Sequence, residues 1–374
     1  MGIEFIDLKA QQKRIKTEID AGIAKVLAEG RYIMGPEVKE FEAKLADFGQ
    51  AKHALGCANG TDALILPMLA WGIGPGDAVF CPSFTYCATA EIIAHVGATP
   101  VFVDIDRETY NMDPDSLKRA IAEVKAKGEL NLRAVIAVDL FGQSANYDAI
   151  EPIARENSLR LVADSAQGFG TTLNGKHPVE WADVSTTSFF PAKPLGCYGD
   201  GGGVLTNDDE TAAAIDSLRV HGKGVDKYDN VRVGLNSRLD TLQAAILLPK
   251  LAIFADEIER RNSVAGRYVA ALKGNALRVP KVMDGVVSTW AQFTIEVPDH
   301  AAFAAALKEK GIPTARYYPK PVHMQTAYSH YPFASDGLAN TMDCIENIIS
   351  LPMHPYLGVE TQDKIIEAVK SALL

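Results

Sequence analysis

The sequence predicts an α/β fold, in which a mainly parallel sheet is covered by helices on both faces and a smaller C-terminal α+β domain follows. Over the first half of the chain, short apolar runs alternate with segments of helical length, which is typical of parallel strands connected through helices. Beyond Gly274 the alternation changes. We therefore expect a large domain over residues 1–250 and a small one over residues 251–374, with a hinge within residues 240–280.

The size and composition of the chain limit the classes of function that it can have. The chain has 374 residues, 47% of them hydrophobic, which is enough for a large core and more than one domain. A net charge of −10 argues against nucleic acid or an anionic membrane surface as a partner. No apolar run approaches the ~20 residues of a membrane span, and no signal peptide is evident. Five cysteines without paired spacing predict reduced thiols, no metal site and a cytoplasmic protein.

The predicted elements follow one another along the chain. An amphipathic helix over residues 9–30 with a stop at Gly30 leads through a loop to a second helix over residues 37–49. Tyr32 in that loop is either a packing residue or a ligand contact. Strands are expected from Ala54 and at 78–81, 100–104, 133–140, 159–163, 204–206, 288–297 and 314–318. Further helices are expected at 89–96, 114–127, 147–157, 239–272, 300–310, 337–349 and 360–373, with one ending near 219–222.

The turn after the first strand reads Asn59-Gly60-Thr61-Asp62 and opens a helix. Its small residues let a phosphate approach the backbone, and the free N–H groups at the start of the helix would bind it. A simple N-cap, with Thr61 or Asp62 as the capping residue, explains the same turn.

Two more strand ends carry chemistry-bearing residues. Phe84 and Tyr86 follow the next strand, and one of them could stack on a flat ring, or both could close the top of the core. Asp164 ends an apolar strand, so its carboxylate needs a partner: a protein cation, an N-cap or a protonated ring nitrogen of a cofactor. In parallel sheets, ligands bind beyond the carboxyl ends of the strands, where these residues fall.

A single lysine, Lys193, lies between Pro191 and Pro194 and ahead of a glycine cluster. The prolines fix the backbone on both sides, so the amine is held in one direction. A lysine that is held and partly desolvated has a lowered pKa and becomes a nucleophile towards carbonyl groups. The alternative is an ordinary solvated lysine in a surface loop.

Taken in order, these motifs resemble the pyridoxal phosphate-dependent sugar aminotransferases of fold-type I, nearly end to end. The matching stretches are residues 59–64, 82–86, 164–167, 188–193, 199–202, 234–238 and 242–245. Within that family the chain is similar to the enzymes that aminate C3 of a UDP-linked 3-keto-N-acetylglucosaminuronic acid. Residues 5–8, 193–202 and 238–250 carry that similarity.

The resemblance implies a transaminase that uses pyridoxal 5′-phosphate, glutamate and a nucleotide sugar, in O-antigen or other surface polysaccharide biosynthesis. Lys193 would form the Schiff base and shuttle the proton, and Asp164 would pair with the pyridine nitrogen. Gln167 would hydrogen-bond the ring hydroxyl, and Tyr86 would stack on the ring face.

Phosphate and substrate contacts are implied in the same way. Gly60, Thr61 and Ser188 would hold the phosphate, with Asn236 reaching it from the neighbouring subunit of a homodimer with shared active sites. Arg238 would bind a carboxylate of glutamate or of the uronic acid, because a planar guanidinium group can donate two parallel hydrogen bonds to the two carboxylate oxygens. From the residues alone, Asn236 and Arg238 are also explained as a helix cap. Further candidates near the diphosphate are Tyr32, Lys223, Arg316, Tyr318 and Lys320.

Some features depart from the pattern or leave alternatives. Where many family members have His-Tyr-Pro, this chain has Tyr317-Tyr318-Pro319, so a role of that histidine in sugar recognition does not carry over. Lys193 excludes a related dehydratase branch in which histidine replaces the lysine. A nucleotide sugar with its ketone at C4 is the alternative substrate, and a cofactor-holding regulatory protein is the alternative of another class. A broad apolar face on the helix over residues 239–272 indicates a subunit contact.

Overall fold

In a computed structural model that describes residues 2–226 and 228–373, a seven-stranded sheet forms the centre of the protein. Its strands are β1 (His53–Cys57), β2 (Asp77–Pro82), β3 (Thr99–Val103), β4 (Asn131–Val138), β5 (Arg160–Asp164), β7 (Val184–Ser188) and β8 (Gly202–Thr206), and β6 (Thr172–Leu173) lies outside it. The order is β1-β8-β7-β5-β4-β2-β3, with β8 antiparallel to both neighbours and the other adjacent pairs parallel. The mainly parallel sheet is confirmed.

Helices of the first half of the chain flank this sheet. They are α1 (Leu8–Arg14), α2 (Lys16–Glu29), α3 (Pro36–Phe48), α4 (Gly60–Ala70), α5 (Ala88–His95), α6 (Pro114–Lys127), α7 (Tyr147–Glu156) and α8 (Asp209–Leu218). Neighbouring residues of a strand point to opposite faces of the sheet, so two successive residues of β8 show what covers each face. Leu205 packs in one cluster with α3, whereas Val204 packs in another with α4 and α8.

A long helix, α9 (Thr241–Leu272), connects the sheet to the C-terminal part. That part contains β9 (Val286–Val287), β10 (Phe293–Glu296), α10 (His300–Glu309), α11 (Ala339–Cys344), β11 (Ile348–Leu351) and α12 (Val359–Ala372). The first half of α9 packs with α3, and its second half joins a core with β10 and β11. Because α9 is continuous, a domain boundary at residue 250 stays a prediction.

The register of the parallel strands gathers several strand ends at one edge of the sheet. Val138 is paired with Asp164, and Asp164 with Thr186. The residues that follow β4, β5 and β7 therefore leave the sheet side by side. This edge carries the candidate site.

Three predicted elements differ in the N-terminal and small-domain regions. The helix predicted over residues 9–30 is two helices, because Ile15 leaves the helical region (φ −123°, ψ 26°) and packs against Ile246. The strand predicted over residues 288–297 begins only at Phe293, since Thr289 N–H instead donates to Gly142 O (2.8 Å). In the strand predicted over residues 314–318, only Ala315 pairs, with Ser350.

Two more predictions need correction. The helix predicted over residues 337–349 ends at Cys344, and β11 follows it, because a short apolar run fits either helix or strand. The helix at residue 60 is capped neither by Thr61 nor by Asp62. Asn59 caps it by accepting the Asp62 N–H (2.8 Å).

The apolar face of α9 is covered within the same chain. Phe254 is buried with α3, and Ile246 is buried with Ile15 and Ile19. This face therefore does not by itself indicate a subunit contact. Within residues 2–226 and 228–373, every helix is too short or too polar to cross a membrane.

Candidate active site

Asp164 is the buried carboxylate at the centre of the sheet edge, with 4% of its surface exposed. Its Oδ2 accepts the Thr89 hydroxyl (2.8 Å), and its Oδ1 accepts the Ala166 N–H (3.2 Å). Burial raises the pKa of this carboxyl, while the two hydrogen bonds and the charge of Lys193 act in the opposite direction. A carboxylate oriented in this way can bind a cationic N–H.

Lys193 lies in the loop between β7 and β8. Its backbone N–H donates to Phe190 O (2.9 Å), which forms a tight turn at the lysine. Burial lowers the pKa of its amine, and Asp164 opposes that shift. At neutral pH, the neutral, nucleophilic form of this amine is therefore more populated than that of a solvated lysine.

The start of α4 and the end of β7 form a narrow cradle. A Cβ on Gly60 would lie 2.6 Å from Ser188 Cβ and 2.9 Å from its Oγ, so only glycine lets these two segments approach so closely. By helix geometry, the N–H groups of Gly60 and Thr61 have no acceptor within α4. The cradle thus combines amide hydrogens, a hydroxyl and the positive end of a helix dipole, as anion sites do.

Gln167 connects the sheet edge to Tyr318. Its Oε1 accepts the Phe141 N–H (2.8 Å), which fixes the amide orientation, and its Nε2 donates to Tyr318 Oη (2.7 Å). The Tyr318 ring lies 6.2 Å from the ring of Tyr86, whose side chain is 57% exposed. The Gln167 amide that would bind a ring hydroxyl is therefore already shared with Tyr318.

The structure also shows buried partners that sequence reasoning missed. Thr89 orients Asp164, as described. Asp139, directly after β4, accepts hydrogen bonds from Ser165 Oγ (2.5 Å), Tyr147 Oη (2.9 Å) and the Ala145 N–H (2.9 Å). Burial raises its pKa to about 7, and the nearby Asp164 acts in the same direction. Asp139 ends an apolar run as Asp164 does, so the same signal could have found it.

The remaining candidate side chains have other hydrogen-bond partners or face solvent. Arg316 donates to the Ile345 carbonyl, and Arg238 donates to Asn236 Oδ1. Asn236 is exposed and pairs with Val220 outside the named strands. Tyr32, Lys223 and Lys320 are exposed side chains. In the described residues, no hydrogen bond or salt bridge links any of these side chains to Asp164 or Lys193.

Comparison with known proteins identifies the family. The family model described as the DegT/DnrJ/EryC1/StrS aminotransferase family matches residues 13–370. The chain belongs to this family. It is therefore an aminotransferase, and the predicted fold and activity class are confirmed.

Individual relatives agree with the family assignment. The chain is 49% identical, over 95% of its length and 96% of the relative, to the UDP-2-acetamido-2-deoxy-3-oxo-D-glucuronate aminotransferase of Pseudomonas aeruginosa. A DegT DnrJ EryC1 StrS aminotransferase from Brucella abortus has the same fold, with a TM-score of 0.97, 51% identity and 99% of both chains covered. NtdA from Bacillus subtilis, solved with bound cofactor PMP, is 28% identical with a TM-score of 0.90, over 100% of this chain and 85% of its own.

The aminotransferase is pyridoxal 5′-phosphate-dependent, and the residues present fit that cofactor. Asp164 offers an oriented carboxylate, and Lys193 offers a desolvated amine. The cradle brings the Ser188 hydroxyl next to the amide groups at the start of α4, an approach that only glycine at position 60 permits, and these groups suit a phosphate.

Thr89→Val removes one hydrogen bond to the Asp164 carboxylate and keeps the side-chain shape. We expect the pKa of Asp164 to rise further, because the hydroxyl stabilises the ionised form. Infrared titration of the carboxyl stretch measures it. Thr187→Val is the matched control, because Thr187 Oγ1 is buried without a hydrogen-bond partner in the described residues. An unchanged Asp164 titration in the Thr89 variant would contradict this role.

Proposed function

We propose that the protein transfers an amino group from glutamate to the C3 ketone of a UDP-linked 3-keto-N-acetylglucosaminuronic acid. The observation that carries this proposal is the 49% identity to the Pseudomonas aeruginosa enzyme named for that substrate, which extends over nearly all of both chains. We further propose that the product serves surface polysaccharide synthesis in the cytoplasm, in line with five free cysteines.

The roles of individual residues follow from the cluster at the sheet edge. When bound, the cofactor supplies a carbonyl carbon for the amino group and a ring that withdraws electrons from the reacting carbon. Asp164 would hold the ring nitrogen in its protonated form, because an ionised carboxylate favours an adjacent N–H cation. Lys193 Nζ would take up and return the proton of the reacting substrate carbon. Gly60, Thr61 and Ser188 would hold the phosphate.

The aromatic and amide groups would position the ring. Tyr86 would cover one ring face, and Gln167 would approach the ring hydroxyl together with the Tyr318 hydroxyl. Because Tyr318 hydrogen-bonds Gln167, we place it beside the ring rather than near the diphosphate.

A homodimer with shared sites is part of the proposal. Asn236 and Arg238 lie at the surface of their own chain. The segment before them, which we call the arm, contains three exposed valines, Val225, Val231 and Val233, whose exposed fractions are 110%, 55% and 96%. Monomers seldom leave a cluster of apolar side chains so exposed, and such patches mark interfaces. A second copy covering this arm would receive Asn236 at its phosphate and Arg238 at a substrate carboxylate. Tyr32, Lys223, Arg316 and Lys320 remain candidate substrate contacts.

The ketone position is tested by a substrate panel. Purified protein with glutamate should aminate the UDP-linked 3-keto uronic acid faster than 4-keto nucleotide sugars, as followed by 2-oxoglutarate release. Faster turnover of a 4-keto sugar would favour the alternative substrate. A cofactor absorbance band that stays unchanged on adding glutamate would instead support a regulatory protein.

Lys193→Ala should keep the fold and lose transamination, because no amine remains to bind the cofactor or move the proton. Borohydride reduction followed by peptide mapping of the unaltered protein should place the cofactor adduct on Lys193. Lys127→Ala, which removes an exposed lysine of α6, is the control for loss of a positive charge. An adduct on a different lysine would overturn the assignment.

Arg238→Lys keeps the charge but removes the planar fork that matches a carboxylate. We expect the KM for the substrate whose carboxylate it binds to rise about tenfold or more, as for a lost hydrogen bond to a charged group. Comparing the KM of glutamate with that of the sugar shows which carboxylate is bound. Arg260→Lys, at an exposed position of α9, is the control, and equal effects of both changes would argue against a specific contact.

A further inference from the structure

Residues 189–199, which we name the lysine loop, close tightly around Lys193. Besides the turn at Lys193, the Cys197 N–H donates to Phe189 O (2.7 Å). A Cβ on Gly196 would lie 2.6 Å from Phe190 O and 2.5 Å from Pro191 O, so the loop folds back on its own carbonyl groups at a glycine. The carbonyl groups of Phe190 and Pro191 therefore lie close to Gly196.

Two polar side chains of α9 hold the lysine loop from outside. Gln243 Oε1 accepts the Tyr198 N–H (3.0 Å), and Lys250 Nζ donates to Gly196 O (2.6 Å). Gln243 and Lys250 are seven residues apart, about two helical turns, so both lie on the same side of the helix. The helix therefore contacts the loop at two points within three residues of each other.

Lys250 is an unusual residue for this position, because only 1% of its surface is exposed. Its amine lies 4.2 Å from the centroid of the Tyr198 ring. Burial lowers its pKa to about 8, against the smaller opposing effects of Cys197 and Glu257. No salt bridge to Lys250 occurs among residues 2–226 and 228–373. Burying an amine without a paired carboxylate is costly, and an apolar side chain of similar length would fill the same space without that cost.

We propose that Lys250 is a positioning residue for the reaction, whose amine holds the Gly196 carbonyl and thereby fixes the loop that aims Lys193. The Gly196 carbonyl accepts a hydrogen bond from the amine, and the face of the Tyr198 ring lies beside it, which favours a cation at this point. The hydrogen bond from the Cys197 N–H to Phe189 O closes a loop that contains both Gly196 and Lys193, so a displacement of Gly196 would also displace the reactive amine. The inference rests on the proposed role of Lys193.

The test is amide hydrogen exchange of the lysine loop in the full-length protein with its cofactor. Lys250→Met keeps the volume and removes the donor. Exchange at the Lys193 and Cys197 amides should then accelerate by about tenfold or more, as for a lost hydrogen bond from a charged group. The same variant should lose kcat while the KM of both substrates stays nearly unchanged, because substrate contacts remain. Lys250→Arg retains a cationic donor and should restore protection of the loop.

Arg261→Met is the matched control. Arg261 is also a buried cation of α9, with 5% of its surface exposed, but it donates to Trp290 O (3.0 Å) in the C-terminal part. It should lower stability without accelerating exchange in the lysine loop. The proposal is wrong if Lys250→Met leaves loop exchange unchanged, if Arg261→Met accelerates it equally, or if Lys250→Arg behaves like Lys250→Met.

The result is separable from the assignment of Lys193. Borohydride mapping of the unaltered protein decides which lysine carries the cofactor, whereas exchange reports on the loop irrespective of that answer. An adduct at another lysine would refute the reactive role of Lys193 and, with it, the catalytic meaning of Lys250. In that case, faster exchange in the lysine loop would show only that Lys250 stabilises the structure of the loop.

Discussion

The site depends on the stabilisation of one buried group, the carboxylate of Asp164. A carboxylate in a nearly water-free position is unfavourable unless hydrogen bonds and a cation compensate it. Thr89 and Ala166 supply the hydrogen bonds, and the amine of Lys193 supplies a nearby positive charge. The parallel register of β4, β5 and β7 makes this arrangement possible, because it brings the ends of three strands to one edge.

A single helix, α9, connects the segments that surround this carboxylate. The start of α9 follows directly on the segment that carries Asn236 and Arg238, and Gln243 and Lys250 within its first three turns hold the lysine loop. Ser237 adds a connection, since its Oγ accepts the Ala58 N–H (3.2 Å) beside the phosphate cradle. Residues proposed to serve the partner's site are thus tied to the cradle of their own site.

Sequence patterns predicted those parts of the protein in which a local signal and the tertiary environment agree. Asp164 and Lys193 could be found because one ends an apolar run and the other lies between prolines. Thr89 could not, since its partner is 75 residues away and a threonine in a helix carries no local signal. Lys250 was hidden for a related reason: a charged residue in a helix pattern normally faces solvent. β11 was misread because residues 345–351 are apolar enough for either helix or strand.

The position of the Tyr318 hydroxyl depends on apolar packing as much as on its hydrogen bond. Tyr317 lies with its ring 5.8 Å from that of Tyr318 and 6.4 Å from that of Phe5. Phe5 is itself held by the C-terminal part, since its carbonyl accepts the Met353 N–H (3.1 Å). A large aromatic ring at position 317 therefore connects the N-terminal segment to the residue that shares Gln167. A smaller, polar ring there would lose part of this contact area, so Tyr317 supports the position of Tyr318 through packing.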